Sequence, residues 1–207
     1  MARYESKREQ IEAAAMRLFA ERGVDAVSMR DIGAACGISG PGALSHFGSK
    51  DALVATLFAE GFAGYAARIR EATPATGPFH ERLLAVIATV LKLHDEDHDR
   101  FRFLVLRQHD HLASIPRDGA NPIEVIRALI EGAMAAGEIP PRSPDLAALA
   151  VIGLVLQPAT GRLYGRLTGP LAPLAPEIAA MAWGALNAGS DAPAPERTTR
   201  KPRSTRR

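Results

Sequence analysis

Apolar positions recur along this chain with the period of an α-helix almost from end to end. Ile11, Ala14, Ala15, Leu18 and Phe19 fall at i, i+3, i+4, i+7 and i+8, one face of an amphipathic helix. Gly23 closes it. Ser28, with Asp31 three residues on, opens a short second helix that ends near Cys36-Gly37. Gly37 can take the positive φ that a sharp interhelical turn needs. Ser39 opens a third helix over 40–47, whose first turn tolerates Pro41 because the missing N–H has no partner to lose. Ser49 caps a fourth, from Lys50 to about Glu71, with Leu53, Leu57, Phe58, Phe62 and Tyr65 on its apolar face. Proline- and glycine-rich breaks then separate five more: Phe79 to His94, Asp97 to His111, Pro122 to Gly137, Asp145 to Leu167 bent at Pro158, and Glu177 to Ala188. No strand alternation and no repeat interrupts the series. The pattern predicts an all-α protein of about nine helices.

Composition changes this picture little. Of the 207 residues, 47% are hydrophobic and 23% charged, the balance of an ordinary globular chain. A single cysteine, Cys36, rules out an internal disulfide and a cysteine zinc cluster and favours a cytoplasmic setting. The longest apolar run, Leu146 to Leu156, is too short to span a bilayer, so no membrane partner is expected. The net charge of +2 hides a split. The last 17 residues hold six basic and two acidic side chains, whereas residues 1–50 hold seven basic and six acidic ones. If the front of the chain binds nucleic acid, the placement of a few cations must do it.

The first three helices follow a helix-turn-helix plan with a bracing helix in front. The segment "SMRDIGAACGISGPGALSHFGSKDAL" resembles the signature of the TetR family of bacterial transcriptional regulators, in Ser28, Arg30, Ile32, Ala35, Gly37, Ile38, Ser39, His46-Phe47, Ser49-Lys50 and Leu53. The resemblance covers about residues 6–55; the remainder is similar only in its helical architecture. It implies a three-helix helix-turn-helix DNA-binding domain at 1–50 and a helical ligand-binding and dimerisation domain at 51–189. The tail at 190–207 reads as basic and disordered. It also implies a cytoplasmic homodimer that binds a near-palindromic double-stranded DNA operator and answers to a small-molecule effector, a repressor and not an enzyme, with no cofactor.

Individual positions in the motif have their own physical reading. Ile32, Ala35, Ile38 and Phe47 are apolar and lock the short helices against the first. Ser28 and Lys50 stand at helix starts, where backbone N–H groups and the helix dipole favour a phosphate. His46 can donate to a phosphate, and Arg30 can reach backbone or a base edge. Arg3, Lys7 and Arg8 can add contacts from the N-terminal arm. The tip of the third helix departs from the family. Leu44 stands where the family usually has a tyrosine, and Gly40, Pro41 and Gly42 stand where it often has lysine, arginine or threonine. Direct readout is therefore expected to be sparse. It falls to Ser39, Ser45, Arg30 and backbone N–H groups, with more reliance on DNA shape. The alternative is a helical small-molecule sensor whose DNA readout is weakened or lost.

Other motifs lead elsewhere and are set aside. Gly37-Ile38-Ser39-Gly40-Pro41 approaches a nucleophile elbow but ends in proline and follows no strand. Gly40-Pro41-Gly42 lacks the third glycine of a dinucleotide fingerprint. His94 and His98 have the spacing of helical zinc ligands, but no third ligand is identifiable and the segment reads as a solvated acidic turn with no metal. Cys36 reads as a small buried packing residue. In the second domain, Phe62, Tyr65, Phe101, Phe103, Arg107, His111 and Gln157 are the candidates for a ligand pocket between helices. Leu149, Ile152, Leu156, Met181, Trp183 and Leu186, on the last two helices, are the candidates for a helix-pair dimer interface.

Overall fold

The computed structural model describes residues 6–188. The expectations for Arg3 and for the tail at 190–207 lie outside them. The described residues form nine α-helices and no strand. They are α1 (Lys7–Arg22), α2 (Met29–Ala35), α3 (Gly40–Phe47), α4 (Lys50–Ala72), α5 (Phe79–Glu96), α6 (His98–His111), α7 (Pro122–Ala135), α8 (Pro144–Leu163) and α9 (Ala175–Asn187). Two short 3-10 turns, Leu112–Ser114 and Ala172–Leu174, follow α6 and precede α9.

Side-chain caps set most of the starts. Ser28, Ser39 and Ser49 each accept a backbone N–H three residues on, so the three short-range starts at the front of the chain form as their sequence requires. A fourth cap, Ser6 with Glu9, closes a full capping box at α1. One end departs from the sequence reading: α8 stops at Leu163, not 167. Gly165 takes φ +70°, and the amides of Gly165 and Arg166 return to Arg162 and Gly161, a glycine C-terminal turn. Pro158 lies inside this helix without ending it.

The helices close over two apolar cores. The head core joins Ile11, Ala15, Leu18 and Phe19 of α1 with Ile32, Ala43, Leu53, Leu57 and Phe58. It also takes Phe103 and Leu104 from α6. The body core gathers α4 to α9 around Ile69, Phe79, Leu83, Ile87, Ile130, Val151 and Ile178. Ala35, expected to lock α2 inward, is exposed, and Cys36 is only half-buried, with Sγ 3.4 Å from the Gln10 carbonyl oxygen. By length and composition alone, α4 and α8 are apolar enough to cross a membrane. Here α4 packs on α5, α6 and α7, and α8 on α7 and α9.

The acidic turn at 94–98 differs most from its sequence reading. Helix α5 runs on to Glu96, so His94 is helical and only 1% exposed. Its Nδ1 lies 3.2 Å from Asp95 Oδ1, and its ring stands edge-on to His98 and Phe101. Asp95 accepts the backbone N–H groups of Leu171 and Ala172, at 2.9 and 2.8 Å, and so ties α5 to the entry of α9. Burial raises the Asp95 carboxyl, but these N–H bonds outweigh it and hold it below the ordinary carboxylate value. Burial, chiefly, keeps the His94 imidazole below its ordinary value of 6.5, against the pull of Asp95. Since the unfolded chain takes this proton more readily, the stability contributed is present above about pH 6.5 and lost as pH falls below it. The melting temperature is expected to hold above pH 6.5 and to decline on acidification below it. His94→Gln should flatten that first decline; an unchanged profile would remove His94 as its cause. Among the described residues no group of three or more His, Cys, Asp or Glu is arranged to hold a metal ion.

Candidate nucleic-acid interface

Glycines let α2 and α3 approach at the turn between them. Gly37 takes φ +67°, and the Ile38 amide donates to Gly33 O at 2.9 Å. A Cβ on Gly33 would stand 2.8 Å from the Ser39 carbonyl oxygen and 2.9 Å from that of Ile38. Gly40 also lies close to α2: its Cβ would be 3.2 Å from Arg30 Cα. Gly40 therefore serves the packing of the two helices. Gly33, which no sequence pattern singled out, is the tightest point of the turn.

This packing fixes what α3 presents. Ala43 is buried, and Leu44 and Phe47 are half-buried against the head core. Pro41, Ser45 and His46 are exposed, with Gly42 half-buried among them. Ser39 is exposed as well, its Oγ accepting the Gly42 amide at 3.1 Å. Ser45 Oγ donates to the Gly42 carbonyl at 2.7 Å, a local bond that a rotation of the hydroxyl breaks. Arg30, on α2, is exposed and in no ion pair among the described residues. Leu44 is thus a packing residue more than a surface one.

Two candidates are already occupied within the chain. Ser28 Oγ accepts the Asp31 amide and donates to the Asp31 carboxylate, which also receives the Ser28 N–H. These bonds hold Asp31 below the ordinary carboxylate value, so an anion sits at that helix start already. Lys50 is half-buried, and its Nζ donates to the carbonyls of Val24 and Val27, at 3.1 and 3.2 Å. Its ammonium fastens α4 to the α1–α2 loop instead of standing free at a helix start. From the arm, Lys7 Nζ donates to Gln10 Oε1 and the Cys36 carbonyl, and Arg8 pairs with Glu12 while lying 4.6 Å over the Phe47 ring.

Behind the head, the body holds a half-open cavity of about 170 Å³ walled by α4 to α8. Phe62, Tyr65 and Phe101 line it, as the ligand reading expected. Four other candidates do not. Phe103 stacks on Phe19 in the head core, with ring centroids 6.1 Å apart. Arg107 turns outward to Asp25 and Asp110, His111 packs beside Phe58, and Gln157 is exposed. Conversely, Ile152 and Leu156, read as interface residues, line the cavity with Val151 and Val155. Leu186 is 1% exposed in the body core and does not stand at a free surface, whereas Trp183 is half-buried, packed against Phe79 and His80. Leu149 and Met181 do, at 56% and 52% exposed, together with Leu146 at 69%.

Residues 11–57 match the family model for bacterial regulatory proteins of the tetR family. Over this segment the chain carries the N-terminal domain of the tetR family. No curated protein matches it in sequence. Solved structures agree with the tetR-family fold over most of its length. The fatty acid degradation regulator FadR from Bacillus halodurans aligns with a TM-score of 0.74 at 18% identity, covering 89% of this chain and 98% of its own. A tetR-family regulatory protein from Rhodococcus RHA1 aligns at 0.72 and 23% identity, covering 88% and 98%. FadR from Bacillus subtilis, solved in complex with stearoyl-CoA, aligns at 0.71 and 19%, covering 84% and 96%. At these identities the likeness is one of fold, and it extends the tetR-family architecture from the head to the body.

Proposed function

We propose that this tetR-family regulator is a cytoplasmic, dimeric repressor whose grip on a near-palindromic operator is loosened by an effector in the body cavity. The carrying observation is the close α2–α3 turn, which packs Gly40 against Arg30 and leaves Arg30, Ser39, Pro41, Ser45 and His46 exposed. On this reading α3 enters the major groove, Ser45 and Ser39 meet base edges, and Arg30 and His46 hold the backbone. The head is residues 1–50, and the body is 51–189. The exposed apolar side chains of α8 and α9, Leu146, Leu149 and Met181, support pairing with a second copy as a four-helix bundle. Such a pair presents two α3 helices to inverted half-sites.

Coupling between cavity and head is carried by α6. Its Phe101, Leu104, Val105 and Gln108 line the cavity, while Phe103 and Leu104 pack in the head core. Arg107 pairs with Asp25, at 3.2 Å, beyond the end of α1. A ligand that shifts α6 therefore shifts the head, and it acts only through its different affinity for the two arrangements. A second reading, an acyl-CoA effector, is favoured by the apolar cavity together with the fold shared with the stearoyl-CoA-bound Bacillus subtilis FadR.

Selection of bound DNA from a random pool tests the proposal. It is expected to return two inverted half-sites. On the selected sequence, Arg30→Ala should weaken binding to all sequences and lower the salt slope by about one. Ser45→Ala should instead relax preference at particular base pairs. A pool that returns no motif, or half-sites without inversion, would exclude a dimeric operator-binding repressor.

A further inference from the structure

The first turn of α1 carries two cations, and each meets the end of another helix of the head. Lys7 Nζ donates to the Cys36 carbonyl, at the C-cap of α2, at 3.2 Å. A cation there satisfies an open carbonyl and suits the negative end of the helix dipole. One residue on, the Arg8 guanidinium lies 4.6 Å from the ring centroid of Phe47, the last residue of α3. Its Nε donates to Glu12 Oε1 at 2.9 Å, and its Nη2 lies 3.7 Å from Glu60 Oε1 on α4. The guanidinium therefore has its face on an aromatic ring and two of its nitrogens toward carboxylates. Burial first, and then the charge of Glu60, hold the Glu12 carboxyl above its ordinary value, against the pull of Arg8. Arg8 pairs with both of these carboxylates. Glu60 stands on α4 between Phe58 of the head core and Phe62 of the cavity wall. The same grip thus ties α3 to the helix that runs on into the body.

We infer that Lys7 and Arg8 are positioning residues for the helix-turn-helix: Lys7 holds the end of α2, Arg8 holds the end of α3 on α1 and α4, and neither is a contact to the DNA backbone. The inference rests on the operator-binding reading of the head, and it replaces the arm contacts that the sequence suggested for these two residues. At 8 residues, α3 is too short to hold its conformation without tertiary anchors. Loss of the grip spreads α3 over several orientations, and only the fraction in the reading orientation binds specifically. Non-specific binding needs cations near phosphates but no fixed α3.

Two measurements on the full chain test it. One is fluorescence anisotropy on selected and on random duplex DNA over a salt series; the other is amide hydrogen exchange on the free protein. Arg8→Ala should weaken binding to the selected operator about fivefold, the scale of a half-exposed cation–π contact and its ion pair. Binding to random DNA and the salt slope should stay as in the parent; a lost phosphate contact would weaken both kinds of binding and lower the slope by about one. Lys7→Met, which keeps the apolar stem, should behave alike. Glu12→Leu separates the two roles by sign. It removes a negative charge from the head and frees Arg8, so an Arg8 that contacts phosphate would bind the operator more tightly. A positioning Arg8 should instead bind it about threefold more weakly. In the free protein, Arg8→Ala should raise exchange at the Phe47 and Gly48 amides about fivefold while the melting temperature of the whole chain barely moves. A salt slope lowered by one in either cation variant, tighter operator binding in Glu12→Leu, or unchanged exchange at those two amides overturns the inference. A parent chain that selects no operator overturns the operator reading instead, and hydrogen exchange then still decides whether Arg8 holds α3.

Discussion

Replacing Gly33 by alanine is expected to abolish specific DNA binding while the body stays folded. The added Cβ would lie 2.8 and 2.9 Å from two backbone carbonyl oxygens, those of Ser39 and Ile38. Neither is the end of a flexible side chain, so the α2–α3 turn itself must open. Overpacking of this kind costs roughly 1–3 kcal/mol, and alanine's better helix propensity returns only about 1. What remains is borne by the short head, whose α3 is 8 residues long and held by that turn. Gly132→Ala in α7 is the control, since nothing lies within 4 Å of its added Cβ. It should bind the operator as the parent does. Hydrogen exchange at the Ile38 and Gly42 amides, with anisotropy on operator DNA, checks the result. Full operator affinity in Gly33→Ala would show that the turn yields without moving α3.

Leu104→Ala is expected to lower stability by about 3 kcal/mol, the ordinary cost of deleting a buried leucine side chain. It should also uncouple effector from DNA. Leu104 is buried, belongs to the head core and lines the cavity, and its Cδ2 would lie 2.9 Å from a Cβ on Gly61 of α4. Truncation leaves effector room to bind without pressing on α6. The signature is a protein that still binds its operator at low temperature but no longer releases it when effector is added. Denaturant unfolding gives the first quantity, and operator titrations with and without effector give the second. Preserved release would move the coupling to the remaining α6 contacts, Phe103 on Phe19 and Arg107 on Asp25.

Much of the fold was legible because its signals are local. Serines at 28, 39 and 49 each precede a helix and cap it, which needs only the hydroxyl and the amide three residues on. The face of α1 follows from its 3.6-residue period, and all five of its named residues are buried. The family of the head was legible for the same reason, as it rests on fixed spacings within one short segment. The occupied side chains were not. Lys50 looked like a free cation at a helix start until the fold brought the Val24 and Val27 carbonyls, more than twenty residues away, to its Nζ. Leu186 looked like an interface residue because period alone says that a face is apolar, not which neighbour it meets. His94 looked solvated because the residues around it are acidic; Asp95 is in fact held by amides more than seventy residues on.

The sequence by itself determined nine helix starts and stops to within a few residues, and the helix-turn-helix at the front with its family. Caps, periodicity and glycine turns act between residues that are near neighbours in the chain. Only the tertiary structure decided which cations stand free, which aromatic residues enclose the cavity, and that α6 belongs to both cores. Those outcomes depend on carbonyls and carboxylates delivered from distant segments, and on a close approach at Gly33 and Gly61 that no local pattern encodes.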